Sequence, residues 1–422
     1  MSSSRYFKPL RHRDFALLWS GQTISQLGDG IFTVTLAIEV LRIDQHAIAL
    51  SYVLAARLLP AVLFTLGGGV IVDRVPRRLA MLGSDIARGA AVAVITVLVA
   101  TGDIHLIALV LMAFVFGCGD AVFFPAAMAI TPELVPSELL VGASALSGTS
   151  MQVAGVLIGP AVGGLLVGFL GAAWGLGIDA ASFMISAAAL VAMSARSAPA
   201  PSGASPLADL REGLRFCISQ RWLWVTTLGS SLGNFVAFSP LGVLVPLLVK
   251  RELHGGGIAL GLILAAGGLG GATASVIAGR RAPPRHRLAH LWVGWGLSGI
   301  GVLGLGFVPD VWLAGGVAFV TYGLDGYGSV MFNPLIQEGV PDALLGRVAS
   351  VDYVLGFALS PLGLVAAGAA AQTIGVRTTL IVGGAITGLT TFIPLLPGVN
   401  DPTLQQPSRA QTKDQQPQPA DK

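Results

Sequence analysis

The sequence predicts an all-α membrane protein whose twelve membrane helices form two pseudo-symmetric six-helix bundles. Three observations carry that expectation. Only 11% of the 422 residues are charged and 54% are hydrophobic, against about 25% charged in a soluble domain, so most of the surface must face lipid. Apolar runs near the roughly 20 residues that cross a bilayer core recur along the chain. Of 25 lysines and arginines, 19 fall in segments on one side of those runs, four on the other and two inside, the asymmetry expected of loops held in the cytoplasm.

The first span, 15–41, follows the basic stretch SSSRYFKPLRHRDFALLW. That opening has the outline of a signal peptide. Gln22, Gln26 and Asp29 interrupt its apolar run and no small-residue cleavage site ends a short core, so it reads as an uncleaved first helix. Further runs follow at 48–72, 79–101, 105–130, 142–170 and 172–194. A charged, proline-containing linker comes next, and a second set occupies 222–249, 258–279, 288–308, 311–337, 346–373 and 376–396. The expected organisation is an N-terminal bundle over 1–194, a cytoplasmic linker over 195–221, a C-terminal bundle over 222–397 and a disordered cytoplasmic tail over 398–422. Both termini then face the cytoplasm of a multi-pass protein in the cell membrane.

The two sets also resemble each other. FFPAAMAI runs into ELVPSELLVGAS, and MFNPLIQE into GVPDALLGRVAS, about 205 residues later. Two parallel six-helix repeats suggest a transporter with its site between them near the midplane. The net charge of +3 is accounted for by loop arginines and lysines, and implies no nucleic-acid partner. Cys118 and Cys217 suggest neither a disulfide nor a metal site, and no cofactor is expected. GSSLG at 229–233 lies in an apolar helix rather than on a nucleophile elbow, and no other catalytic constellation is present, so an enzyme is not expected.

Between the second and third spans stands GVIVDRVPRR, from Gly69 to Arg78. A positive-inside loop explains its arginines but not the aspartate beside them. Gly69, Asp73, Arg74, Arg77 and Arg78 match G-x-x-x-D-R-x-G-R-R, with Pro76 where glycine is usual. Here the chain resembles the major facilitator superfamily. The resemblance implies that this loop locks the cytoplasmic side, with Asp73 near the start of span 11 and Arg77 paired to an acid on span 4, for which Asp120 is the candidate. Counted from His105, Asp120 lies roughly 22 Å down its helix. Asp85 and Arg88, three apart on one face of span 3, fall at a similar depth. The surrounding SDIAR is similar to the drug-exporting branch that includes macrolide and siderophore exporters.

GVLIGPAVGG in span 5 places Gly155, Gly159 and Gly163 four apart, a stripe without side chains that lets another helix come close, with Pro160 bending the helix. With Gly164 it matches G-x-x-x-G-P-x-x-G-G, which resembles the antiporter motif of the same superfamily. That resemblance implies a bend and a seal against the opposite half rather than a ligand site.

Asp29 and Arg57 are charges inside spans 1 and 2 and therefore functional suspects. Their depths, about 21 Å from one side and about 14 Å from the other, agree within a turn and predict that they pair. The pair is either a proton-coupling site or a static tie between the helices. Span 4 lacks the arginine that many antiporters of the superfamily carry, so that arrangement does not transfer. The family builds its cavity from spans 1, 4, 7 and 10, which makes Gln22, Gln26, Asn234, Tyr322 and Asp325 the candidate lining, suited to an amphipathic organic molecule.

The expected function is secondary active transport: proton-coupled efflux of a small amphipathic compound, such as a drug, antibiotic or siderophore-like product, by alternating access in a monomer. Import by symport or facilitated diffusion is the alternative, and a non-transport membrane protein comes third.

Overall fold

The computed structural model describes residues 7–67, 75–194, 206–280, 284–341, 344–396 and 399, and every regular element among them is helical. Gly69, Asp73 and Arg74 lie outside the described residues, as do 195–205 of the linker and all but Val399 of the tail beyond residue 396. In chain order the long helices are α1 (Arg13–Ile43), α2 (Ala47–Gly67), α3 (Arg77–Thr101), α4 (Leu106–Leu134), α5 (Ser137–Phe169) and α6 (Ala172–Ala192). After them come α7 (Arg221–Glu252), α8 (Gly257–Arg280), α9 (Arg287–Leu305), α10 (Val311–Gly339), α11 (Arg347–Thr373) and α12 (Val376–Leu389). A separate helix, Pro206–Ser219, lies in the linker.

Among the described residues nine of these are long and apolar enough to cross a membrane, and two stretches, Ala47–Leu63 and Val376–Leu389, are shorter apolar helices. The chain is therefore a multi-pass membrane protein. α10 has the length but falls outside that group, because its glycines, tyrosines and Asp325 dilute its apolar content.

Local chemistry sets the helix ends. The Asp310 carboxylate accepts the backbone N–H groups of Trp312 and Leu313, 2.9 Å each, and caps α10. The turns from α5 to α6 and from α11 to α12 pass through Gly171 (φ 92) and Gly375 (φ 88). Both sit in a backbone region that only glycine enters without strain. They lie about 205 residues apart, so the sequence repeat has a geometric counterpart at these turns.

Two helices carry widened π-helical turns, at Met151–Ile158 in α5 and at Asn234–Phe238 and Leu248–Glu252 in α7. The first two run into Pro160 and Pro240, which cannot donate to the ladder.

Polar contacts define two ends of the molecule. At the linker end, Arg13 donates to Ser194 (2.9 Å), joining α1 to the end of α6. There too Arg347 pairs with Glu212 of the linker helix. At the far end, Lys250 donates to the Leu41 carbonyl (2.6 Å) and Arg251 to the Gln45 carbonyl. These cations meet the C-terminal end of α1, where a helix dipole favours positive charge. Arg377 ties α12 to Glu252 (3.0 Å) and to the Gly306 carbonyl (3.1 Å).

Two close helix pairs join α1–α6 to α7–α12: α5 with α8, and α2 with α11. Both are concentrated toward the far end. α2 packs closely along Ser360–Thr373 and only slightly along Leu345–Phe357, and α8 meets α5 over Met151–Phe169. Backbone touches backbone there. A Cβ on Gly261 would stand 2.5 Å from the Pro160 carbonyl oxygen and 3.0 Å from the Gly164 Cα. Among the described residues the close contacts between the two sets lie toward the far end.

Gly261→Leu is expected to destabilise this closed arrangement by about 1–3 kcal/mol, the usual cost of forcing extra atoms into a packed contact. A membrane-impermeant maleimide should then label Ile258→Cys faster than in the single variant. An unchanged labelling rate would show that the α5–α8 contact does not hold the far end shut.

Candidate functional site

The deepest charged groups of the molecule lie inside α1–α6. Arg88 on α3 is 2% exposed and donates to Asp85 one turn back (2.5 Å) and to Asp120 on α4 (3.0 Å). Arg57 on α2 stands 3.5 Å from the other Asp120 oxygen and 4.0 Å from Asp29 on α1. The structure thus brings Asp29 and Arg57 within ion-pair distance. It also joins two groups that the sequence treated separately, since Asp120 bridges both arginines.

The local sequence explains how α4 admits them. In GCGD, Gly117 faces the backbone of Arg57 and the ring of Pro60, and Gly119 faces the side chain of Arg88. A side chain at either position would push an arginine away from Asp120. Aromatic rings complete the box. The Arg57 guanidinium lies 4.4 Å from the Phe116 centroid, and that of Arg88 lies 4.3 Å from Phe123 and 4.7 Å from Phe183. Phe32 stacks on Phe116 at 5.1 Å. Cation–π attraction is strongest where water is excluded, so these rings replace part of the lost hydration.

A fourth carboxylate belongs to this region. Asp179 on α6 is fully buried, accepts only a 3.4 Å bond from Ser182 at Oδ1, and lies against Gly28, the neighbour of Asp29. Among the described residues, Asp29 Oδ1, Asp85 Oδ2 and Asp179 Oδ2 are buried without a hydrogen-bond partner. Four carboxylates therefore share two guanidinium groups. Residue spacing alone does not place Asp179 beside the other three. The signal that places it here is glycine at position 28, which lets α6 close on α1.

Arg77 requires a correction. Its expected partner was Asp120, but it pairs with Glu133 at the end of α4 and donates to the Ala129 carbonyl (2.8 Å). The reason is height: Arg77 opens α3 at the linker end, whereas Asp120 lies several turns deeper and is occupied by Arg57 and Arg88. Arg78 donates to the Val191 carbonyl (2.6 Å). The second set repeats the tie. Arg287, which opens α9, pairs with Glu338 near the end of α10 at 2.5 Å, and Glu338 is the match of Glu133 in the 205-residue repeat.

The glycine stripe of α5 also needs correcting. Gly155, Gly159 and Gly163 do not face the opposite half. They pack on Gln26, Leu27, Gly30 and Ile31 of α1. The contact with the other set uses the neighbouring stripe, where Gly164 meets Gly257 and Gly261, and Val156 meets Gly268. A step of one residue turns a helix by about 100°, so adjacent rows serve different neighbours.

A cavity of about 390 Å³ lies between α5, α8 and α10, on the linker side of this contact. Tyr322 and Asp325 line it, together with Gln152, Ser275 and Ser329. The other expected lining residues do not border this cavity. Asn234 donates to the Gly356 carbonyl (3.2 Å) and ties α7 to α11. Gln26 lies against Gly155 with its Oε1 buried and unpartnered, and neither it nor Gln22 borders the cavity. Gln152 was missed because it sits at the edge of the glycine motif in an otherwise apolar run. Among the described residues no cluster of His, Cys, Asp and Glu could hold a metal ion.

Comparison with known proteins points in one direction. A family described as transmembrane secretion effector matches residues 4–416. The chain is 30% identical over 373 residues to the multidrug efflux pump Tap of Mycobacterium tuberculosis (strain ATCC 25618 / H37Rv), covering 84% of this chain and 86% of that one. It is 24% identical over 380 residues to macrolide efflux protein A of Streptococcus pyogenes, covering 88% and 93%. The fold is similar to that of a bacterial homologue of the iron transporter ferroportin in an inward-facing state, with a TM-score of 0.70 at 19% identity over 91% of this chain and 98% of that one.

Removing Arg88 leaves Asp85 buried without its cation. Arg88→Met is expected to cost about 3–5 kcal/mol, the range for breaking a buried pair from one side. Arg57→Met should cost less, because Arg57 is 21% exposed and its contacts are longer. Thermal unfolding of the detergent-solubilised protein checks the order, and equal losses would contradict it.

Proposed function

This chain belongs to the transmembrane secretion effector family of the major facilitator superfamily and is an efflux transporter; from that premise we propose that it exports small amphipathic organic compounds in exchange for protons. In this reading twelve spans form two bundles, 1–194 and 222–397, linked by 195–221 and followed by a cytoplasmic tail over 398–422. The protein works as a monomer in the cell membrane, with the linker end in the cytoplasm. The basic residues of that end support this orientation.

One observation carries the proton: two buried carboxylates, Asp85 and Asp179, and two part-buried ones, Asp29 and Asp120, lie around only two guanidinium groups. Charge without a counter-charge is expensive in a dry interior, and a proton on a carboxylate removes it. Asp29 is the member suited to exchange. It has the longest ion-pair contact of the cluster, and it is the residue next to Gly30 on α1.

Gly30 gives the cluster a path to the seal. It touches Gly155 and Gly159 of α5, and the next face of α5 touches Gly261 of α8. A change in charge at Asp29 therefore acts on α1, and α1 on the helix that holds the far end shut. Each proton entering down a 100 mV potential would supply about 2.3 kcal/mol plus the pH term. The compound would occupy the cavity beside Gln152, Tyr322 and Asp325 while it faces the cytoplasm.

Everted vesicles loaded with the protein should accumulate an amphipathic dye when a proton gradient is imposed. Asp29→Asn should cut the gradient-driven component at least tenfold while leaving passive exchange of the dye. Accumulation that survives collapse of the gradient at the same rate would reject proton exchange.

A further inference from the structure

The cavity between α5, α8 and α10 holds one acidic group. Among the described residues Asp325 is the only acidic side chain that borders it, and no lysine, arginine or histidine does. Among the described residues Asp325 has neither an ion pair nor a hydrogen bond. The nearby charged groups are committed elsewhere. Arg287 on α9 is paired with Glu338. His290, also on α9, approaches Tyr327 with ring centroids 6.5 Å apart; Tyr327 is two positions from Asp325 and so on the other side of α10. α5 contributes Gln152, whose amide nitrogen reaches the Gly268 carbonyl at 3.4 Å, and α8 contributes Ser275 and bare glycine backbone.

We propose that Asp325 makes this cavity a site for organic monocations, with the bound compound supplying the counter-charge that the protein withholds. A carboxylate in a membrane interior is paired wherever the protein can pair it, as Asp85 and Asp120 are. Leaving Asp325 bare selects whatever enters with a positive charge and penalises an anion of the same shape. Tyr322, one turn earlier on the same face, adds an aromatic surface beside the carboxylate. The volume lies in the range of sites for drug-sized molecules. It is far too roomy, with one carboxylate, to supply the oxygen shell that a bare inorganic cation needs.

The inference rests on the efflux reading but is tested apart from it. Tetraphenylphosphonium and tetraphenylborate have nearly the same shape and opposite charge. Binding of each to the purified full-length chain is measured by equilibrium dialysis in detergent. The phosphonium should bind at least tenfold more tightly. Asp325→Asn should remove that preference by weakening the phosphonium at least tenfold, and Asp325→Glu should retain it. Both variants should keep the wild-type melting temperature, because no ion pair is lost.

Equal affinities in the wild type, absence of phosphonium binding, or a preference that persists in Asp325→Asn would each overturn the assignment. Gradient-driven export of an uncharged compound by the wild type in everted vesicles separates the two claims. If export is present and the charge preference absent, the cation site falls and efflux stands. If the wild type exports neither charged nor uncharged compounds, the efflux reading falls.

Discussion

The structure depends on α5 being bare on two adjacent faces. Gly155, Gly159 and Gly163 let α1 approach until its backbone meets that of α5, and Gly164 does the same for α8. In a bilayer there is no hydrophobic force between helices, so close contact of this kind is what holds them together. It also makes α5 a helix through which a movement of α1 reaches the other set of helices. Side chains would fill both faces and separate the three backbones. The widened turn before Pro160 lets the helix curve without leaving carbonyls exposed to lipid.

The charge cluster is the opposite kind of construction, in which the packing is tight and the electrostatics is left unbalanced. Arg88 is held from two sides by carboxylates and by the faces of Phe123 and Phe183, so it has nowhere to move. Arg57 is held less firmly and is closer to water. The cluster therefore has a fixed centre at Arg88 and a looser edge at Asp29, and the looser edge is the one that lies against α5. A fixed arginine holds Asp85 and Asp120 in place. Adjustment is left to the edge.

The helix order and the repeat were legible because each rests on a one-dimensional signal. Apolar run length gives the spans, and an offset of 205 residues links Glu133 to Glu338 and Gly171 closely to Gly375. Depth was legible for the same reason, since a fixed rise per residue predicts that Asp29 and Arg57 share a level. Azimuth was not. Counting residues does not say which way a helix is turned, so the glycine stripe of α5 was aimed at the wrong neighbour, and it does not show that Gln22, Gln26 and Asn234 stay clear of the cavity between α5, α8 and α10. The same gap hid the role of Asp120. The glycines on either side of Cys118, which admit Arg57 and Arg88, are what let Asp120 join both pairs.

Lateral placement also bears on how a proton and a compound could be exchanged. The buried cluster lies among α1, α2, α3, α4 and α6, and Asp325 lies on α10 beyond α5 and α8. The two acidic sites do not share a carboxylate, so a proton at Asp29 does not compete with a cation at Asp325 for the same atoms. Exchange in the proposed mechanism must then run through the position of α5, which touches the cluster's helix on one face and lines the cavity through Gln152 on another. Backbone-to-backbone contact suits that task. A packed glycine interface has little slack, so a small shift of α1 is passed on as a shift of α5 instead of being absorbed by rotating side chains.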